Sequence, residues 1–132
     1  MSKCVILCVD DEKIVLDSLK AQLKENFGNR YSYEMAQNAH EALEIIEELD
    51  EVGQCIIVIV SDWLMPGTKG DEFLITVHRK FPEIVKILLT GQADEEAVER
   101  AKKYANLHCC LRKPWNEELL INTIKTGLVK YG

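Results

Sequence analysis

The chain has 132 residues, a length that suits one domain of ordinary size and leaves little room for two. Hydrophobic residues make up 47% and charged residues 29%, with a formal net charge of -6. A buried core is therefore expected, whereas a duplex nucleic-acid surface, which needs a basic stripe to displace condensed counterions, is not.

From the N-terminus, Met1-Ser2-Lys3 passes directly into a short apolar run ending at Asp10-Asp11, which is unlike a signal peptide. Cys4 to Val9 is continuously apolar and β-branched, the pattern of a strand buried on both faces. Ile14, Val15, Leu16, Leu19 and Leu23 recur at helical spacing between Glu12 and Asn26, and Gly28-Asn29 ends that helix. Tyr31 to Ala36 alternates weakly as a second strand. Ala39 to Leu49 follows as an amphipathic helix carrying Ala42, Leu43, Ile45, Ile46 and Leu49.

Cys55 to Val60 is the strongest strand, leading into Ser61-Asp62 and the turn Met65-Pro66-Gly67. The spacing predicts a third helix from Asp71 to Phe81, with Phe73, Leu74, Val77 and His78 inward, stopped by Pro82. Ile84 to Leu89 is a fourth strand ending at Thr90-Gly91. Asp94 to Tyr104 is helical, with only Ala93, Ala97, Val98 and Ala101 as an apolar side. Leu107 to Leu111 is a short fifth strand. After Lys113-Pro114-Trp115, Asn116 caps a last helix with Leu119, Leu120, Ile124 and Leu128 inward.

Strand and helix thus alternate about five times, and crossover connections restrict such a chain to a doubly wound sheet. The expected fold is α/β, a (βα)5 flavodoxin-like arrangement with a parallel five-stranded sheet in strand order 2-1-3-4-5. The apolar runs fall well short of the roughly 18 residues needed to span a bilayer, so no membrane role is expected. Cys4, Cys8 and Cys55 read as small hydrophobes within apolar runs. Cys109 and Cys110 are adjacent, unlike a C-x-x-C metal or redox pair. All five read as reduced thiols, which points to a cytoplasmic setting. His40, His78 and His108 have no partner at metal-ligand spacing.

In a sheet of this kind ligands bind beyond the carboxyl ends of the strands. The first strand delivers Asp10 and Asp11 there, the third Asp62, the fourth Thr90, and the fifth leads to Lys113. Three carboxylates at one point resist simultaneous ionisation, and a cation relieves the conflict. Oxygen ligands without His or Cys suit Mg2+, with Lys113 and the Thr90 hydroxyl available to phosphoryl oxygens. The set fits phosphoryl transfer, in which positioning and charge neutralisation do most of the catalysis. Each residue also has a plainer reading. Asp10 and Asp11 could cap a helix, Asp62 could open a turn, Thr90 could end a strand, and Lys113 could be a solvated turn residue. Caps and turns, however, do not require these residues to converge. Trp63 and Trp115 flank the site and read as packing aromatics.

The segments Cys8-Val9-Asp10-Asp11-Glu12, Ser61-Asp62-Trp63-Leu64-Met65-Pro66-Gly67, Leu89-Thr90-Gly91 and Arg112-Lys113-Pro114-Trp115 resemble those of the response-regulator receiver family, in its order and spacing. The resemblance implies that Asp62 accepts a phosphoryl group from a histidine kinase, a phosphotransfer protein or a small donor. It also implies that Asp11, Asp62 and the backbone carbonyl of Leu64 ligate Mg2+, with Asp10 acting through water. Thr90 and Lys113 would contact the phosphoryl group, and Pro114 resembles the family's cis-proline. The product would be a two-component signalling switch rather than a turnover enzyme. Its partners would be a kinase, a downstream effector domain or protein and, as one candidate, a second copy of the chain.

Two positions depart from the family pattern. Cys110 stands where a Tyr or Phe is common, so the switch is expected to work through the Thr90 loop and the helix after it, or through dimer contacts. Leu64, two residues after Asp62, is apolar and is expected to hinder attacking water and lengthen the phosphorylated lifetime. Two alternatives remain open. One is a degenerate receiver that acts as an interaction module, disfavoured because it would bury repelling charges without use. The other is an Asp-nucleophile phosphatase, disfavoured because Leu64 occupies the position of its second aspartate. Residues 1–132 read as a single receiver domain, either standing alone or cut from a longer multidomain regulator. The Leu-Thr-Gly and Lys-Pro-Trp segments, which recur in receivers attached to other modules, favour the latter.

Overall fold

Strand and helix alternate through the computed structural model, which describes residues 3–92 and 94–131. In chain order the elements are β1 (Val5–Val9), α1 (Lys13–Phe27), β2 (Ser32–Ala36), α2 (Ala39–Glu51), β3 (Ile56–Asp62) and α3 (Gly70–Lys80), followed by β4 (Val85–Thr90), α4 (Glu95–Ala105), β5 (Cys109–Arg112) and α5 (Glu117–Tyr131). A single 3₁₀ turn, Gly28–Arg30, follows α1. The strands form one parallel sheet in the order β2-β1-β3-β4-β5, the flavodoxin-like arrangement that the alternation predicted.

Helices cover both faces of this sheet, which is why every residue of β1 and β4 is buried and both strands are apolar on successive positions. On one face, Leu16, Leu19, Leu23 and Phe27 of α1 and Leu120, Ile121 and Ile124 of α5 pack on Ile6, Val58, Val60 and Ile87. On the other, α2, α3 and α4 cover Leu7, Val9, Ile59 and Leu88. The helix ends follow from local chemistry. Asn38, Asp94 and Asn116 each accept a backbone N–H three residues on, and Gly28 closes α1 with a positive φ of 57°.

Two residues expected inward face solvent, Ile14 at 74% exposure and Leu119 at 53%. The buried stripe of α1 runs through Leu16, Leu19, Leu23 and Phe27, and Ile14 lies about 200° around the helix from Leu16 at roughly 100° per residue. Leu119 stands in the same relation to Ile121. Cys55 is exposed rather than buried, because it precedes β3 at the rim of the sheet. Cys109 packs toward the α1/α5 side and Cys110 toward the α3/α4 side, as successive strand residues must. Lys86, inside β4, is almost wholly buried and donates from Nζ to the Ile84 carbonyl at 2.7 Å. Ala93, expected on the apolar side of α4, lies outside the described residues, as do Met1, Ser2 and Gly132.

The helices are not equally anchored. α1 buries three leucines and a phenylalanine, each contributing about 1.5–3 kcal/mol. α4 buries only Ala97, Ala101 and Ala105, each a single methyl of about 0.8 kcal/mol. Its apolar attachment is therefore the weaker by several kcal/mol. Among the described residues no helix is long and apolar enough to cross a membrane.

Candidate functional site

Four chain segments meet at the carboxyl edge of the central strands. Asp10 directly follows β1, where its backbone N–H donates to the Ala36 carbonyl of β2 at 3.0 Å. Asp62 is the last residue of β3 and pairs in register with Leu89 of β4. Lys113 follows β5, and its backbone N–H reaches the Thr90 carbonyl at 2.9 Å. Because the sheet is parallel, these ends lie on the same edge, and the polar residues that close each apolar run are brought together.

The side chains form one charged cluster. Lys113 Nζ lies 2.7 Å from Asp10 Oδ2 and 3.0 Å from Asp62 Oδ1. Asp10 is fully buried, and its other oxygen accepts the Glu12 backbone N–H at 2.9 Å. This bond holds the loop; it does not cap α1, whose N-cap residue is Glu12 and carries no side-chain cap. Asp11 is exposed. One carboxylate oxygen from each of Asp10, Asp11 and Asp62 lies within 4.8 Å of the others. Among the described residues no other group of three or more His, Cys, Asp or Glu side chains approaches so closely.

The electrostatics follow from this crowding. Burial pushes the Asp62 carboxyl up to about 6 from an ordinary 3.8; the Lys113 hydrogen bond opposes the rise, and the charges of Asp10 and Asp11 add to it. Burial works against the Lys113 ammonium as well, yet the hydrogen bonds and charges of Asp10 and Asp62 hold it above the usual lysine range. A single lysine thus leaves negative charge uncompensated. An all-oxygen set with that surplus fits a hard divalent cation, which takes a few carboxylates and completes its shell with water and phosphate oxygens. A cavity of about 610 Å³ opens over Asp11, Asp62 and Lys113, walled by Leu64, Pro66 and Gln92. Leu64 is 54% exposed at its mouth.

Thr90 stands apart from this cluster. Its hydroxyl donates to the Gln92 carbonyl and accepts the Gln92 N–H at 3.2 Å. Thr90 and Cys110 line a separate cavity of about 310 Å³ against α4, with Val98 and Lys102. The Lys113–Pro114 peptide bond is cis.

Three residues at the site were not legible as such. Trp63, expected as a packing aromatic, is buried, but its indole N–H donates to Asp71 Oδ1 at 3.0 Å and the Lys69 ammonium stands 5.2 Å above its ring. Asp71 reads in sequence as an ordinary acid in the first turn of a helix, yet it is fully buried and pairs with Arg100 of α4. Gly70 packs so closely beneath the loop that a Cβ there would lie 2.2 Å from the Asp62 carbonyl oxygen. The only sequence signal for it is a glycine opening a helix. Trp115, the other flanking aromatic, donates to Gln22 Oε1 at 2.8 Å.

Comparison with known proteins shows the family and the fold. Residues 6–125 match the family described as the response regulator receiver domain. The hydrogenase transcriptional regulatory protein HoxA of Cupriavidus necator is 32% identical over 130 residues, 98% of this chain and 25% of that protein. Among solved structures, a CheY-like response regulator receiver domain protein from Methanospirillum hungatei superposes with a TM-score of 0.85 at 31% identity, covering 98% of this chain and 97% of that one. The beryllofluoride-activated NtrC4 receiver domain dimer gives a TM-score of 0.83 at 31% identity, covering 97% of this chain and 98% of that one. The chain spans about a quarter of the length of the HoxA proteins it matches.

Proposed function

This chain belongs to the response regulator receiver family, and on that premise we propose that it is a phosphorylation-dependent switch whose phosphoryl acceptor is Asp62. The observation that carries the reading is the shared contact of Lys113 Nζ with Asp10 and Asp62, beside a third carboxylate and at the floor of an open cavity.

A carboxylate oxygen of Asp62 attacks phosphorus, the bond from phosphorus to the donor's imidazole nitrogen or acyl oxygen breaks, and the donor leaves with that electron pair. Asp62 must be ionised to attack, and its raised value opposes this until more positive charge arrives. Asp11, Asp62 and the Leu64 carbonyl would hold Mg2+, with Asp10 acting through water, and the ion would supply charge neutralisation there. Lys113 turns its ammonium from Asp62 toward a phosphoryl oxygen while keeping Asp10. Thr90 exchanges its bonds with Gln92 for one to the phosphoryl group, which moves the loop leading into α4. Leu64, apolar at the mouth of the cavity, shields the phosphoryl group from water.

The donor is a histidine kinase or a phosphotransfer protein, and the output is an effector domain or protein in the cytoplasm. A second copy of the chain is one candidate effector surface. Residues 1–132 form the receiver unit of that system. Intact mass after incubation with acetyl phosphate and Mg2+ tests the reading. One phosphoryl group is expected on the unaltered chain and none on Asp62→Asn; no addition to the unaltered chain would overturn it.

A further inference from the structure

The family's common aromatic on the fifth strand is Cys110 here, yet an aromatic ring lies buried right beside the acceptor. Trp63 is bonded to Asp62 through the peptide chain. Its backbone N–H donates to the Leu89 carbonyl at 2.8 Å, and its carbonyl accepts the Gly70 N–H at 2.7 Å. Its indole N–H reaches Asp71 Oδ1 at 3.0 Å, and Asp71 Oδ2 takes the guanidinium of Arg100. Asp71 is fully buried in this arrangement, while Arg100 is half-exposed on α4. α4 otherwise buries only alanines. The peptide chain, the Trp63 ring and two polar side-chain contacts thus join the acceptor residue to the least anchored helix.

We propose that Trp63, Asp71 and Arg100 form a relay that couples the state of Asp62 to the position of α4, with Asp71 and Arg100 as positioning residues. The inference rests on Asp62 being the phosphoryl acceptor. Asp71 uses one oxygen for each partner, so the two contacts share a single rigid carboxylate plane. A shift of the Asp62–Trp63 backbone on phosphorylation therefore alters how Asp71 meets Arg100. The ion pair holds α4 in the unphosphorylated arrangement, and phosphorylation loosens it.

Coupling of this kind is reciprocal: if the phosphorylated state weakens the Arg100 contact, removing that contact must favour the phosphorylated state by the same factor. The test uses beryllofluoride with Mg2+ as the phosphoryl mimic, titrated into the unaltered chain, Arg100→Ala and Arg100→Lys, with amide exchange followed over Glu95–Ala105. Arg100→Ala leaves the buried Asp71 carboxylate without its cationic partner, so a thermal melt of each variant verifies that it still folds.

The expected result for Arg100→Ala is binding about five-fold tighter, with α4 amides already exchanging fast before the mimic is added. Arg100→Lys keeps the charge and should return both readouts toward those of the unaltered chain. A merely structural role predicts unchanged or weaker binding, and either outcome overturns the relay while leaving the acceptor assignment in place. Failure of the unaltered chain to bind the mimic overturns the acceptor assignment and the relay together.

Discussion

Replacing Lys113 by Met keeps the aliphatic stem and removes the charge. In the unaltered protein the ammonium touches a fully buried Asp10 and an Asp62 side chain only 7% exposed. Removing one partner of a buried ion pair costs about 3–5 kcal/mol, because the other charge stays buried without compensation. Protonation of Asp62 softens that cost. Burial already raises its carboxyl to about 6, and losing Lys113, which pulls it down, raises it further. A carboxyl whose value in the fold exceeds its unfolded value supports the fold at low pH and loses that support as pH climbs through the folded value. The deficit of Lys113→Met should thus be larger near pH 8 than near pH 5. Taking about 3 kcal/mol at the higher pH, the melting temperature falls by about 10 °C for a domain of this size. Thermal melts in metal-free buffer at both pH values measure it, and added Mg2+ should restore more to the variant than to the unaltered chain. A variant that melts within about 2 °C of the unaltered protein at both pH values would refute the charge balance drawn here.

Asp62→Asn removes the carboxyl that burial disfavours. A rise from 3.8 to about 6 corresponds to about 3 kcal/mol at most, so the metal-free variant should melt higher than the unaltered chain near pH 8 and not near pH 4. Gly70→Ala drives a methyl to within 2.2 Å of the Asp62 carbonyl oxygen and 2.8 Å of Trp63 Cα, backbone atoms that cannot rotate aside. A loss of about 1–3 kcal/mol in urea unfolding and slower phosphoryl uptake are expected, and unchanged values of both would count against the close packing beneath the site. Leu64→Asn replaces the apolar wall of the cavity with a group able to orient water. The phosphorylated form, followed by intact mass, should decay several-fold faster, and an unaltered lifetime would remove Leu64 from the shielding role.

Much of this architecture is legible from residue order. Cys4 to Val9 and Cys55 to Val60 are continuous apolar runs because their strands lie under helices on both sides, and the aspartates that end them mark the edge of the sheet. Asp10, Asp62 and Lys113 do meet, as strand ends of one parallel sheet should. The errors have a common cause. Ile14 and Leu119 are apolar and helical, but which arc of a helix meets the sheet depends on how the whole helix is seated. Thr90 sits at the expected strand end, whereas the direction of its hydroxyl depends on the Gln92 backbone two residues on.

Asp71 and Arg100 are the sharpest case, since nothing local marks an acid in a first helical turn or an arginine on a charged helix as partners. Hydrophobic period and turn chemistry act over a few neighbouring residues, so the sequence by itself determined the elements, their order and the residues at the strand ends. A part-buried ion pair joins groups 29 residues apart and depends on distances of a few ångströms. Only the packing of α3 against α4 decided that Asp71 would be closed off from water, bonded to Trp63 on one side and to Arg100 on the other.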